Sequence, residues 1–251
     1  MISRTTLALL SITIISTAAA VGAELESDTI PTADGNLVIH PVNHATFVME
    51  WRGTTIYVDP VGGADVFEGF PLPDLVLITH IHGDHTSAET IEGVSTEATE
   101  IVAPVTVSEE LGGAKPDRIT NLANGESVER NGITVEAVPA YNLTEDRLQF
   151  HPQGRDNGYV VTLGGARLYI SGDTEDIPEM RALEDITAAF VCMNLPYTMT
   201  VDRAADAVLE FQPEIVYPYH FRGKGGMSDL DAFTRIVAEN PDIEVRVLKW
   251  Y

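Results

Sequence analysis

His80-Ile81-His82-Gly83-Asp84-His85 follows the apolar run Leu75-Val76-Leu77-Ile78 and precedes a stretch of helical character. Three imidazoles and a carboxylate thus stand together in a chain that has only 7 histidines. Neutral imidazole and carboxylate are the usual protein ligands of zinc, and of iron or manganese. His80 and His82 are two apart, so at an extended strand end they point to the same side. Asp84 and His85 project from the following turn toward a second point. One loop then serves two adjacent metal positions; the competing reading is a polar loop that happens to be histidine-rich.

Outward from this loop the pattern is of strands, then mixed strands and helices, roughly twice over. Upstream, 37–39, 45–51 and 54–58 read as strands, the last two joined in a hairpin by Arg52-Gly53. Leu75 to Thr79 is a near-continuous apolar run, as expected of a strand covered on both faces. Downstream, Thr86 or Ser87 caps a helix, 101–103 is a short strand, and 106–111 is helical up to Gly112-Gly113. A strand over 133–141 follows the Asn131-Gly132 turn, and 159–163 with 167–170 form a hairpin about Gly164-Gly165. Helices are expected over 178–183, 201–211 and 228–238, and strands over 188–193, 215–219 and 243–248. Hairpins combined with crossover helices predict an α/β (α+β) sandwich of two mixed sheets with helices outside. Residues 24–35 read as an extended lead-in, and no boundary is expected inside 36–251.

The first 23 residues have the form of a secretory signal: Met1-Ile2-Ser3-Arg4, an apolar core over 5–15, and small residues ending at Val21-Gly22-Ala23. Cleavage after Ala23, and a periplasmic or secreted location, are expected. The apolar run is short against the roughly 20 residues of a bilayer span, so no stable membrane association is expected after cleavage; a retained anchor is the alternative. The formal charge is −23 over 251 residues. Such acidity repels nucleic-acid phosphates and anionic lipid, which argues for a small-molecule partner and against nucleic acid. A single cysteine, Cys192, rules out an intrachain disulfide and sits in a buried-strand pattern. No serine or cysteine elbow of a nucleophilic hydrolase is present.

The His80-x-His82-x-Asp84-His85 motif, preceded by Ile78-Thr79, resembles the signature of the metallo-β-lactamase superfamily. Other segments match in order. Asn43-His44-Ala45-Thr46-Phe47 resembles the opening strand of the metal-dependent hydrolase branch that includes the L-ascorbate-6-phosphate lactonases, and 56–60 its second hairpin strand. Ser171-Gly172-Asp173-Thr174 resembles the strand carrying a bridging aspartate, and Tyr217-Pro218-Tyr219-His220 the segment of the final ligand histidine. The resemblance spans about 36–251 and implies a four-layer αββα sandwich with one or two zinc ions, manganese or iron being possible, at one sheet edge.

By that resemblance His80 and His82, with His151, hold the first metal. Asp84, His85 and His220 hold the second, Asp173 bridges both, and Asp84 and His220 are the residues expected to carry catalysis. Bound metals would lower the pKa of a water toward about 7, making a hydroxide nucleophile. The pattern is broken where the family normally has a histidine after Val138-Pro139-Ala140-Tyr141, because Asn142 stands there; His151 is the candidate to loop back into its place. Asp59 is a candidate partner for a ligand imidazole, His44, Arg222 and Lys224 are candidate substrate contacts, Tyr141 and Tyr197 are candidate pocket walls, and His40 reads as structural. The expected function is metal-dependent hydrolysis of a small ester, lactone, amide or phosphodiester. The alternative is an inactive small-molecule-binding protein on the same scaffold; an iron-dependent redox role would need a flavin partner domain.

Overall fold

The computed structural model describes residues 26–111 and 118–251. The expected signal over 1–23 and the helix stop at Gly112-Gly113 lie outside the described residues. Two seven-stranded sheets are built to the same plan. The first runs in chain order: β1 (Asp28–Thr32), β2 (Gly35–Asn43), β3 (Thr46–Trp51), β4 (Thr54–Val58), β5 (Leu75–Leu77), β6 (Glu100–Ala103) and β7 (Ile119–Asn121). Its first four strands pair antiparallel and the rest parallel.

The second sheet contains β8 (Ser127–Arg130), β9 (Ile133–Ala140), β10 (Asp156–Leu163), β11 (Ala166–Ile170), β12 (Ala188–Cys192), β13 (Ile215–Tyr219) and, beyond the small hairpin β14 (Arg222–Gly223) with β15 (Gly226–Met227), the edge strand β16 (Glu244–Val245). Here too four strands pair antiparallel before the parallel set begins. Helices α1 (Ala88–Val94), α2 (Val105–Glu110), α3 (Pro178–Arg181), α4 (Val201–Phe211) and α5 (Leu230–Val237) complete the chain.

Side-chain alternation decides what each strand faces. Phe47, Met49 and Trp51 of β3 and Ile56 and Val58 of β4 join the large core that also takes in the second sheet, α4 and α5. Their alternates Val48, Tyr57, Val76 and Ile101 face the other way and pack with Ile91 and Val94 of α1 and Val107 of α2. The two sheets meet through rings: Phe47 of β3 stacks on Phe190 of β12 at 4.5 Å, and Phe190 in turn stacks on its own sheet neighbour Tyr217 at 4.9 Å. Helices therefore cover both outer faces, which is the expected αββα sandwich.

Local signals set the ends of these elements. Arg52 and Gly53 both take positive φ, 52° and 80°, as a tight two-residue hairpin turn requires. The Ser87 side chain caps α1 by accepting from the Thr90 amide at 3.2 Å. Asp229 does the same for α5 through Ala232 at 2.9 Å. Two expectations are corrected. The stretch read as a lead-in contributes β1, which pairs with β2 from Asp28↔Ile39 to Thr32↔Gly35; its short, polar sequence hides the strand. The closing strand expected over 243–248 is reduced to β16, because only Glu244 and Val245 find ladder partners on β13.

Candidate metal centre

Every ligand-type residue singled out in the sequence, apart from His40, Arg222 and Lys224, comes to one edge of the sandwich. Each stands just beyond a strand end or in the loop that follows: Asp59 after β4, the 80–85 loop after β5, Asp173 after β11, His220 after β13 and His44 between β2 and β3. Three of them, His44, Asp59 and His220, have φ of 59°, 44° and 45°. Left-handed backbone in residues other than glycine is strained by roughly 1–2 kcal/mol each and concentrates at functional sites. Gly172 has the same sign, φ 59°, and a Cβ there would sit 2.8 Å from the Asn157 carbonyl oxygen. Glycine is what lets the chain bring Asp173 into the cluster.

Three groups of side chains converge, with ligand atoms within 4.8 Å of one another in each: His80, His82 and His151; His80, His85 and Asp173; and His44, Asp84 and His220. The hydrogen bonds on the far side of the rings fix which nitrogen faces inward. Asp59 receives the Thr79 amide at Oδ1 and the Thr79 hydroxyl at Oδ2, each at 2.7 Å. Its Oδ2 also lies 2.7 Å from His85 Nδ1, so that nitrogen is the donor to Asp59 and Nε2 is the one turned inward. The Thr79 hydroxyl, having donated to Asp59, accepts from His80 Nδ1 at 3.0 Å. His151 Nδ1 donates to Asp156 Oδ2 at 3.1 Å.

The inward atoms then meet without adequate protein partners. His85 Nε2 and His220 Nε2 are 3.0 Å apart, and His80 Nε2 is 3.1 Å from His82 Nδ1. His151 Nε2 and Asp173 Oδ1 are buried with no hydrogen-bond partner. Asp173 Oδ1 nonetheless lies 3.2 Å from His220 Nε2 and 3.5 Å from His85 Nε2, while Oδ2 lies 3.4 Å from His151 Nε2. Buried lone pairs aimed at one another are unfavourable, and a divalent cation between them removes the conflict. The donor set, imidazole with carboxylate, suits zinc, manganese or iron.

Electrostatics follow from burial and from these neighbours. Burial and the adjacent His85 hold His80 well below the ordinary imidazole range. Burial and His151 also lower His82. Burial opposes charge on His85, but Asp173, Asp59 and Asp84 outweigh it and push the ring up to about 9. For Asp173, burial opposes ionisation and is outweighed by His220 and His85, which hold the carboxyl well below its usual range. A bound cation would displace the proton retained by His85, so loading releases protons.

The Beta-lactamase superfamily domain matches residues 39–220. The chain is 31% identical over 207 residues to the UPF0173 metal-dependent hydrolase of Salinibacter ruber, a match covering 76% of this chain and 87% of that one. The chain belongs to the UPF0173 family of metal-dependent hydrolases, within the β-lactamase superfamily. A solved structure from Parabacteroides distasonis, described as a proposed metal-dependent hydrolase, aligns with a TM-score of 0.81 and 38% identity over 89% of this chain and 98% of that one. The metallo-β-lactamase fold protein YhfI of Bacillus subtilis has the same fold, with a TM-score of 0.65 at 12% identity over 82% of this chain and 89% of its own.

The hydrolase opens to solvent through a hollow of about 340 Å³ lined by His82, Asp84, Phe150, His151, Asp173, Asn194 and Tyr197. Tyr197, expected at the pocket, is there; Tyr141 is not among the lining residues, its hydroxyl donating to Glu179 at 3.0 Å. The Asn142 side-chain nitrogen donates to the Arg147 and Tyr197 carbonyls at 2.9 and 2.7 Å, and its Oδ1 is buried without a hydrogen-bond partner. Its backbone N–H donates to the His151 carbonyl at 2.8 Å, closing the loop that carries His151 back to the cluster.

Arg222 and Lys224, expected at the substrate, do not line the hollow. Arg222 lies over the Tyr251 ring at 4.4 Å, and Lys224 lines a separate depression with Leu195 and Met227. His40 pairs with Glu50 at 3.1 Å in the first sheet, a structural contact. Cys192 is a buried packing residue whose thiol is pushed up to about 12 by burial and by Asp173.

Three site residues had no signal in the sequence. Arg155 grips both oxygens of Asp156, at 2.7 and 2.8 Å, and reaches within 3.5 Å of His82 Nε2. Asn194 points its amide nitrogen toward His220 Nε2 at 3.3 Å and Asp173 at 3.5 Å, while Thr198 donates to its oxygen. Tyr251, the last residue, holds His44 Nδ1 at 2.7 Å, leaving His44 Nε2 3.3 Å from Asp84.

Proposed function

We propose that this hydrolase cleaves the acyl bond of a small ester, lactone or amide, with a phosphodiester as the competing substrate. His80, His82 and His151 would hold one cation, Asp84, His85 and His220 a second, and Asp173 would stand between them. Zinc suits the donors best. When bound, the metal supplies Lewis acidity and a lowered pKa for water.

The protein's own groups do the rest. Asp59 and Thr79 fix the rings of His85 and His80 with Nε2 inward. Asp156 fixes His151 in the same way. Asp84, half-exposed, lines the hollow together with His82, His151 and Asp173 of the ligand set, whereas His220 is wholly buried and is not among the lining residues. Asn194 lines the hollow with its amide nitrogen beside Asp173 and His220, where it would be available to donate to a substrate oxygen. The resemblance of 43–47 to the lactonase branch favours ring-opening of a lactone among these reactions.

The observation that carries this reading is the pair of buried, unpartnered ligand atoms, His151 Nε2 and Asp173 Oδ1, set between two histidine clusters. The test is elemental analysis of protein purified without chelator, followed by assay against esters, lactones, amides and bis(4-nitrophenyl) phosphate. About two metals per chain with acyl hydrolysis is the expected result, with hydrolysis abolished and metal content lowered toward one ion in His82→Ala. Metal-free protein, or full activity in His82→Ala, would refute it. From the N-terminal signal pattern we also propose that the hydrolase works outside the cytoplasm. Among the described residues no helix is long and apolar enough to cross a membrane.

A further inference from the structure

Of the residues that line the hollow, Phe150 and Tyr197 are the two that neither belong to a ligand cluster nor bond to one. Their rings meet edge to face, with centroids 5.2 Å apart and planes at 81°. Both are held by backbone bonds: Phe150 N–H donates to Arg147 at 3.0 Å, and Tyr197 N–H to Asn194 at 2.9 Å. The wall is therefore formed before any ligand arrives. Apolar side chains are left exposed two positions from each ring, Leu148 at 45% and Leu195 at 39%.

Cations are missing from the same lining. Arg155 has its Nε and Nη2 committed to Asp156 and to the Phe150 carbonyl, at 2.7–2.8 Å. Arg222 and Lys224 are directed elsewhere. A charged group on the part of a substrate remote from the reacting bond finds no counter-ion among the described residues of the hollow. An anionic group also meets the field of a strongly acidic chain. Desolvating such a group without a partner is unfavourable, whereas an aromatic ring gains both apolar burial and edge-to-face geometry against this wall.

We infer that the substrate carries an uncharged, planar apolar group that lies against Phe150 and Tyr197: an aryl or arylalkyl ester, lactone or amide sized to a hollow of about 340 Å³. The inference rests on the hydrolase reading for the nature of the reacting bond, and on the wall for the rest of the molecule.

The test uses three hydroxamic acids with the same chelating head, titrated calorimetrically into the zinc-loaded full-length protein. Phenylacetohydroxamic acid should bind about tenfold more tightly than propionohydroxamic acid, and succinomonohydroxamic acid, with its extra carboxylate, should bind weakest. Phe150→Ala and Tyr197→Ala should each shrink the phenyl preference several-fold, with metal content unchanged and propionohydroxamate affinity held within about twofold. Tightest binding by the carboxylate compound, or a phenyl preference that survives both substitutions, overturns the inference. The readout is binding and not turnover, so the two readings fail separately. The expected ranking in a protein that cleaves no acyl bond overturns the acyl-substrate reading and upholds the wall. Acyl hydrolysis with the reverse ranking does the opposite.

Discussion

The Nδ1 atom of His85 lies 2.7 Å from Oδ2 of Asp59, and both side chains are wholly buried. That single contact links two strand ends of the first sheet to the centre. It sets the tautomer of a ligand ring, and through Thr79 it sets the ring of His80 as well. Asp59→Asn keeps the size of the side chain and suits the left-handed backbone, since asparagine tolerates positive φ, but removes the charge. We expect metal affinity to fall about 10- to 100-fold, with the fold retained. Competition with a fluorescent chelator, alongside circular dichroism, measures both.

Among the proposed ligands, His151 depends most on tertiary structure. In His151→Ala the first cluster keeps His80 and His82 alone, and metal content should fall from about two ions per chain toward one. Placing histidine at 142 in that background should not restore the second ion, because the Asn142 side chain faces the Arg147 and Tyr197 carbonyls. Elemental analysis of the two variants decides the matter; full content in His151→Ala would show that His151 does not coordinate.

The loop bearing His151 is anchored at a distance by Glu175. Its wholly buried carboxylate accepts from the Leu143 and Thr144 amides and the Thr144 hydroxyl, all at 2.7 Å, and pairs with Arg147 and Arg203 at 2.7 and 3.0 Å. Glu175→Gln turns an N–H₂ group toward these donors and leaves the arginines short of charge. Breaking a buried pair costs about 3–5 kcal/mol, and the partial exposure of both arginines should bring this to the lower end. Urea unfolding measures the loss, and faster hydrogen exchange over 143–151 would locate it.

Asp28 closes the edge of the sandwich, accepting from the Tyr217 hydroxyl at 2.8 Å and pairing with Arg246 at 3.1 Å. Burial opposes its ionisation, but the Tyr217 bond, the Thr29 amide and Arg246 outweigh it and lower the pKa. The folded value lies below the unfolded one, so the contribution is complete above about pH 4. It is lost as pH falls, because the unfolded chain takes up the proton first. Asp28→Asn should therefore cost about 1 kcal/mol at pH 7 and progressively less toward pH 2, a narrowing that denaturation curves across that range would reveal.

Much of this molecule is local in origin. Apolar runs of the right length, the Arg52-Gly53 and Gly164-Gly165 turns, and capping residues such as Ser87 define strands and helices by interactions within a few residues, so the sandwich was legible. Where the signal was weak the reading fell short: β1 and β7 are short edge strands whose pairing partners, not their own side chains, define them. The dense 80–85 motif pointed to the edge where the ligand-type side chains gather for a related reason, since spacing along one strand end already brings His80 and His82 together.

The sequence by itself determined the layers, the hairpins and the presence of a histidine-rich ligand loop, because backbone periodicity and turn chemistry act over a few residues. Only the tertiary structure decided that His151 joins His80 and His82 in one cluster. It alone committed Arg155 to Asp156, laid Phe150 against Tyr197, and turned Arg222 toward Tyr251. Apart from the pairing of the neighbours Arg155 and Asp156, each of those outcomes joins partners distant in the chain and is settled once the two sheets have closed on one another and buried polar groups have found their partners.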